Sequence, residues 1–96
     1  GELILMDGGM CRWHRRKDGV VVIREILVLP QHRRQGIGRE MVSEVQGRYP
    51  LAKIRARCPV ADAQGTVGAG NVFWKYLGFV LVSSEGGINL WERDPS

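Results

Sequence analysis

LVLPQHRRQGIGREMV, residues 27–42, ends an apolar run at a proline, then gathers His32, Arg33, Arg34 and Arg39 around Gly36 and Gly38. Past the second glycine the pattern turns helical. Ile37, Met41 and Val45 recur at i, i+4 and i+8, and Val42 widens the stripe, which predicts a helix over residues 36–46. Gly47 is the expected stop and Pro50 bars continuation. Like charges at a helix start repel one another and the positive end of the dipole, so a negative group is the expected occupant. The first turn of a helix offers unpaired N–H donors, and glycines remove the Cβ atoms that would hold a phosphate away from the backbone. Arginines add charge-assisted contacts, and together these features make an anion site. Two common nucleotide motifs are excluded. No Lys followed by Ser or Thr completes a phosphate loop, and the third glycine of a dinucleotide fingerprint is replaced by Met41.

On the amino-terminal side, residues 20–29 are rich in β-branched side chains and read as the central strand, interrupted by Arg24-Glu25. Residues 2–6 and 10–16 read as strands. Lys17-Asp18-Gly19 makes the hairpin turn into the central strand. On the carboxy-terminal side, residues 51–58 alternate, with Ala52, Ile54, Ala56 and Cys58 against Lys53, Arg55 and Arg57. Residues 61–70 form a glycine-rich loop, residues 71–77 a short helix closed by Gly78, and residues 79–83 and 88–93 a hairpin. The order β, β, β, α, β, α, β, β implies an α+β fold with a mixed, mainly antiparallel sheet and two helices.

The 96 residues suit a single domain over 1–96. No apolar run approaches the ~20 residues of a membrane span, and no charged-then-apolar leader is visible. Cys11 and Cys58 form neither a disulfide framework nor a metal-ligand spacing, so a reduced, cytoplasmic setting without a metal is expected. The formal charge of +4 and pI near 9.6 favour an anionic partner without naming one.

Arg33-Arg34-Gln35-Gly36-Ile37-Gly38, directly after a Val-Leu-Pro strand end, fits R/Q-x-x-G-x-G/A. It resembles the acetyl-CoA-binding motif of the GNAT superfamily of N-acetyltransferases. Phe73-Trp74-Lys75-Tyr76-Leu77-Gly78-Phe79 is similar to the late family helix that runs F-Y-x-x-L-G-F into the next strand. The resemblance covers residues 20–79 in order. It implies a GNAT-like fold and an acetyl-CoA-dependent N-acetyltransferase acting by direct transfer in a ternary complex, with acetyl-CoA as cosubstrate. Only residues 1–9 precede the hairpin, so the amino-terminal helices of many members are expected to be missing. The acceptor groove is then open or completed by a second copy, as a homodimer.

The resemblance also implies roles. Backbone N–H groups of Arg34, Gln35, Gly36, Ile37, Gly38 and Arg39 would hold the pyrophosphate of CoA, with Arg33 and Arg34 reaching phosphates by side chain. The main chain of Leu27, Val28 and Leu29 would pair with the pantetheine arm, and this strand would splay from residues 51–58 to admit the thioester. Glu25 is the candidate base. A free lysine-like amine is almost wholly protonated at neutral pH and needs a proton acceptor. The family's acid tyrosine is replaced by Trp74, whose N–H donates a hydrogen bond but no proton, so Trp74 is expected to wall the cofactor channel or to lie in the core. Tyr76 should point about 200° away around the helix. The family's usual asparagine falls at Val67. Asn71 is expected to cap the short helix, to contact the cofactor, or both. Cys58 is expected to be a small buried thiol.

A small-molecule or peptide amine is the expected acceptor. A basic nucleic-acid-binding domain is the weaker alternative, because aromatics do not interleave with the arginines and no RNA-binding motif is present. A CoA-binding regulator of the same fold, with little catalysis, is the other, prompted by Trp74.

Overall fold

A computed structural model describes residues 2–33, 35–59 and 69–95. Six strands form one sheet: β1 (Leu3–Met6), β2 (Gly9–Arg15), β3 (Val21–Val28), β4 (Ile54–Pro59), β5 (Val80–Glu85) and β6 (Ile88–Arg93). Helix α1 (Ile37–Arg48) joins β3 to β4, and α2 (Ala69–Tyr76) precedes β5. The order in the sheet is β1-β2-β3-β4-β6-β5, and only the β3–β4 pair is parallel. The expected α+β architecture with a mixed, mainly antiparallel sheet and two helices is therefore present.

Alternation sorts the sheet into two faces. Cys11, Trp13, Val21, Ile23, Ile54, Ala56, Cys58 and Trp91 point to one face, where they are buried with Met41, Val42 and Val45 of α1 and with Trp74 and Phe79. Both helices cover this face. The opposite face carries Leu3, Leu5, Arg12, His14, Glu25, Leu27 and Arg57, all exposed, and no helix among the described residues covers it. None of the described helices is long and apolar enough to cross a membrane.

Two boundaries differ from expectation. Helix α1 runs through Gly47 and stops at Arg48, with Tyr49 as its C-cap. A Cβ on Gly47 would meet nothing within 4 Å, so the glycine only weakens the helix, and Pro50 ends it. Helix α2 starts at Ala69, which places Asn71 inside its first turn rather than at its cap.

Candidate active site

Strand β3 carries a bulge. Arg12 pairs with Glu25 and Trp13 with Ile23, leaving Arg24 as the extra residue. Val21 and Ile23 face the helices, and unbroken alternation would turn Glu25 inward beside them. The extra residue moves Glu25 to the open face instead and returns Ile26 and Val28 to the core side, where both pack. There Glu25 meets Arg12, with 3.6 Å between Oε1 and Nη1 and both side chains more than half exposed.

The parallel pairing of β3 with β4 covers Val21↔Ile54, Val22↔Arg55 and Ile23↔Ala56, and stops there. Beyond that rung the two strands part, opening the expected splay between residues 24–28 and residues 57–59. Leu29 N–H donates to Gly8 O at 2.8 Å, so Leu29 and, by alternation, Leu27 direct their backbone groups to β2. The N–H and C=O of Val28 and Ile26 therefore face the gap. Of the three backbone positions expected there, the structure places Val28 on the open edge. Ile26, which the sequence analysis missed, joins it. Its parity follows from the Leu29–Gly8 bond, which joins two strands and is not written in β3 alone.

The 3-10 turn Pro30–His32 leads from β3 toward α1. His32 is not part of the cationic cluster: a Cβ on Gly8 would stand 2.3 Å from its ring, so the imidazole packs against that glycine turn. Gly36 caps α1 in the left-handed conformation (φ 79°), with open space where a Cβ would be. The first intrahelical bond runs from Glu40 N–H to Gly36 O, which leaves the amides of Ile37, Gly38 and Arg39 without helix partners. These amides, beside the gap-facing groups of Val28, fit a diphosphate joined to an amide-bearing arm. Gly38 has a second reason to be glycine. It is buried, and a Cβ there would lie 3.0 Å from the Phe73 ring and 3.7 Å from Val28, so it lets α1 and α2 meet below the gap.

The arginines differ in disposition. Arg33 donates through Nε to Val28 O at 3.1 Å, placing its guanidinium at the gap-facing carbonyl. Arg39 is exposed and lines a depression of about 390 Å³ between the helices, with Ser43, Tyr76 and Arg93. Gln35 is exposed on the turn. Arg34 and Val67 lie outside the described residues.

On α2 the expected residues are packed into the scaffold beside the gap. Trp74 is buried at 4% exposure and stacks edge-on against Phe73 and Phe79, each 4.9 Å between centroids, whereas Tyr76 is 75% exposed. Asn71 donates through Nδ2 to Pro59 O at 2.9 Å, and its Oδ1 accepts from Trp91 Nε1 at 2.9 Å and Asn89 Nδ2 at 3.1 Å. That amide ties the start of α2 to the end of β4 and to β6, so the far wall of the gap is held in place. Cys58 is buried against Gly70, where a Cβ would lie 2.8 Å from Sγ, and burial raises its pKa, which disfavours a nucleophilic thiolate.

A family model described as an acetyltransferase (GNAT) domain matches residues 1–81. The chain belongs to the GNAT acetyltransferase family. This GNAT chain superposes on a protein of Desulfovibrio desulfuricans assigned to that family, with TM-score 0.78 and 15% identity over 93% of this chain and 62% of that one. A Bacillus anthracis protein described as a streptothricin acetyltransferase, in complex with acetyl coenzyme A, gives TM-score 0.71 and 15% identity over 91% of this chain and 56% of that one. The anti-CRISPR protein AcrVA5 gives TM-score 0.68 and 22% identity, covering 93% of this chain and 95% of its own. The chain thus spans about three-fifths of the first two and nearly the whole of the third. No protein of curated function matches the sequence. As a GNAT domain the chain has the family's acetyl-CoA-binding fold.

Proposed function

We propose that this GNAT domain is an acetyl-CoA-dependent N-acetyltransferase that moves an acetyl group to a primary amine by direct transfer in a ternary complex. The observation that carries the reading is the parting of β3 from β4 after Ile23↔Ala56, beside the amides at the start of α1 that have no helix partners. The amides of Ile37, Gly38 and Arg39 hold the pyrophosphate, and Val28 and Ile26 offer the backbone edge along which the pantetheine arm lies. Acetyl-CoA supplies the activated thioester. Glu25, brought to the open face by the bulge, takes the surplus proton of the acceptor amine. The neutral amine nitrogen forms the C–N bond as the C–S bond breaks, CoA departs as a thiolate, and the proton still in excess on the new amide nitrogen passes to that thiolate. A thiol of pKa near 8.5 is an adequate leaving group without a tyrosine acid. Burial of Trp74 in the core favours this unaided departure, and equally favours a second reading, a CoA-binding regulator that turns over slowly.

The deciding experiment is thermal unfolding with and without acetyl-CoA, followed by thiol release across a panel of amines. A ligand at 100 times its Kd adds about 2.7 kcal/mol of stability. A stabilising shift with thiol release that depends on the amine supports the transferase. A shift without turnover supports the regulator, and no shift with acetyl-CoA alongside one with an oligonucleotide removes both.

A further inference from the structure

The chemistry of the acceptor can be read from the helix-free face. Below the gap, on the helix side, Gly38, Phe73 and Val28 pack close together. No described helix covers the opposite face at the level where β3 and β4 part. Beside the gap on that face lies a depression of about 280 Å³ over β4, β6 and β5. Ile88 and Leu90 supply an apolar lining, and Arg55, Arg57, Ser83 and Glu85 supply the polar one.

Four arginines stand around this opening on the described strands, Arg12, Arg24, Arg55 and Arg57, and they are not equivalent. Arg55 is neutralised by Glu92, with Nε 2.7 Å from Oε2. Arg12 is paired with Glu25. Arg57 is exposed, and its guanidinium has no hydrogen-bond or ion-pair partner among the described residues. It stands one residue past the last paired rung of β4, as Arg24 and then Glu25 do on β3. The rim of the gap therefore presents Glu25 beside the exposed bulge residue Arg24 on β3, and the unpaired guanidinium of Arg57 on β4.

We infer that the acceptor is a primary amine that also carries an anionic group, a carboxylate or phosphate, which Arg57 binds at the rim of the gap while Glu25 receives the amine. The inference rests on the acetyltransferase reading. Arginine suits this task because its planar fork binds carboxylate and phosphate bidentately and stays charged at every working pH. Polyamines and lysine-rich segments are disfavoured by Arg57 and Arg12 through like-charge repulsion, and the apolar floor takes the carbon skeleton that links amine to anion.

Matched acceptors test this: glycine against glycinamide, phosphoethanolamine against ethanolamine, and an acidic peptide against its carboxamide analogue, with spermidine as the cationic control. Thiol release and product mass are measured. The expected result is a preference of about 10-fold or more in kcat/KM for the anionic member of at least one pair, and the preferred pair tells a small acceptor from a peptide. Arg57→Gln should raise KM for that acceptor by about 10-fold or more, with kcat and the acetyl-CoA Kd unchanged. Arg57→Glu should shift the preference toward spermidine. Equal use of both members of every pair, a wild-type preference for spermidine, or an Arg57→Gln variant with unchanged KM would overturn the inference while leaving acetyl transfer intact. If acetyl-CoA gives no thermal shift and no amine releases thiol, the acetyltransferase reading falls and takes this inference with it.

Discussion

Arg12 and Glu25 face each other across β2 and β3 with 3.6 Å between guanidinium and carboxylate, and they do so because Arg24 bulges out between Ile23 and Glu25. The pair stands on the open face at the mouth of the gap. Glu25→Gln keeps the shape and the bulge and removes only the basic oxygen. The expected outcome is a fall in kcat of about 100-fold or more with acetyl-CoA stabilisation unchanged. Turnover equal to wild type would take the base role from Glu25. Arg12→Gln should change stability by less than about 1 kcal/mol, because both partners are more than half exposed and solvent screens the pair.

The strands, the turns and α1 were legible in the sequence because apolar spacing and glycine-proline punctuation act locally. The glycine turn was legible for the same reason: Gly36 must adopt a positive φ to start α1. The bulge at Arg24 was not, since its only signature is a change of parity that needs the neighbouring strand to be seen. Ile26 was missed on the same account. Asn71 and Gly38 show the opposite limit. Both sit in or beside motif positions that suggest ligand contact, and both also have packing partners that the motif does not show: Pro59, Asn89 and Trp91 for the Asn71 amide, and Phe73 against the Cα of Gly38, whose N–H has no helix partner. Long-range packing decides such roles, and spacing along the chain does not carry it.

Gly36 separates backbone conformation from available space. Nothing lies within 4 Å of a Cβ built there, so a side chain meets no clash, but φ 79° strains any L-residue. Gly36→Ala should lower stability by about 1–2 kcal/mol, and Gly36→Asn by less, because asparagine tolerates the left-handed region. A β-branched Gly36→Val should be worst. Acetyl-CoA binding should follow the same order, measured as the ligand-induced shift in unfolding temperature. Equal stability for the Ala and Asn variants would remove the conformational explanation.

Asn71 joins α2, β4 and β6 through one amide. Asn71→Leu would leave Trp91 Nε1 and Pro59 O without the partners they have in the structure, at a cost on the order of 3 kcal/mol. Asn71→Asp keeps the acceptor for Trp91 and Asn89 and loses the donor to Pro59, so its unfolding free energy should fall between Leu and wild type. The Trp91 fluorescence should be shifted in the Leu variant more than in the Asp variant. A Leu variant as stable as wild type would show that this amide does not hold the wall of the gap.

Cys11 predicts an alkaline weakness. It is fully buried in the core against the strands, and burial raises its pKa from 9.0 to about 11. The sign follows from which state keeps the proton. Below pH 9 the thiol is protonated in both states and the raised pKa has no effect on the slope. Between pH 9 and about 11 the unfolded chain releases the proton and the folded chain retains it, so unfolding is progressively favoured. The loss across this window should be on the order of 2 kcal/mol. Cys58, raised in the same direction, adds to the fall. Urea titrations from pH 8 to 11 on wild type and Cys11→Ala provide the comparison. The variant should start less stable, because it leaves a small cavity, and then decline more shallowly. Parallel declines in the two proteins would show that the buried thiol contributes nothing to the alkaline loss.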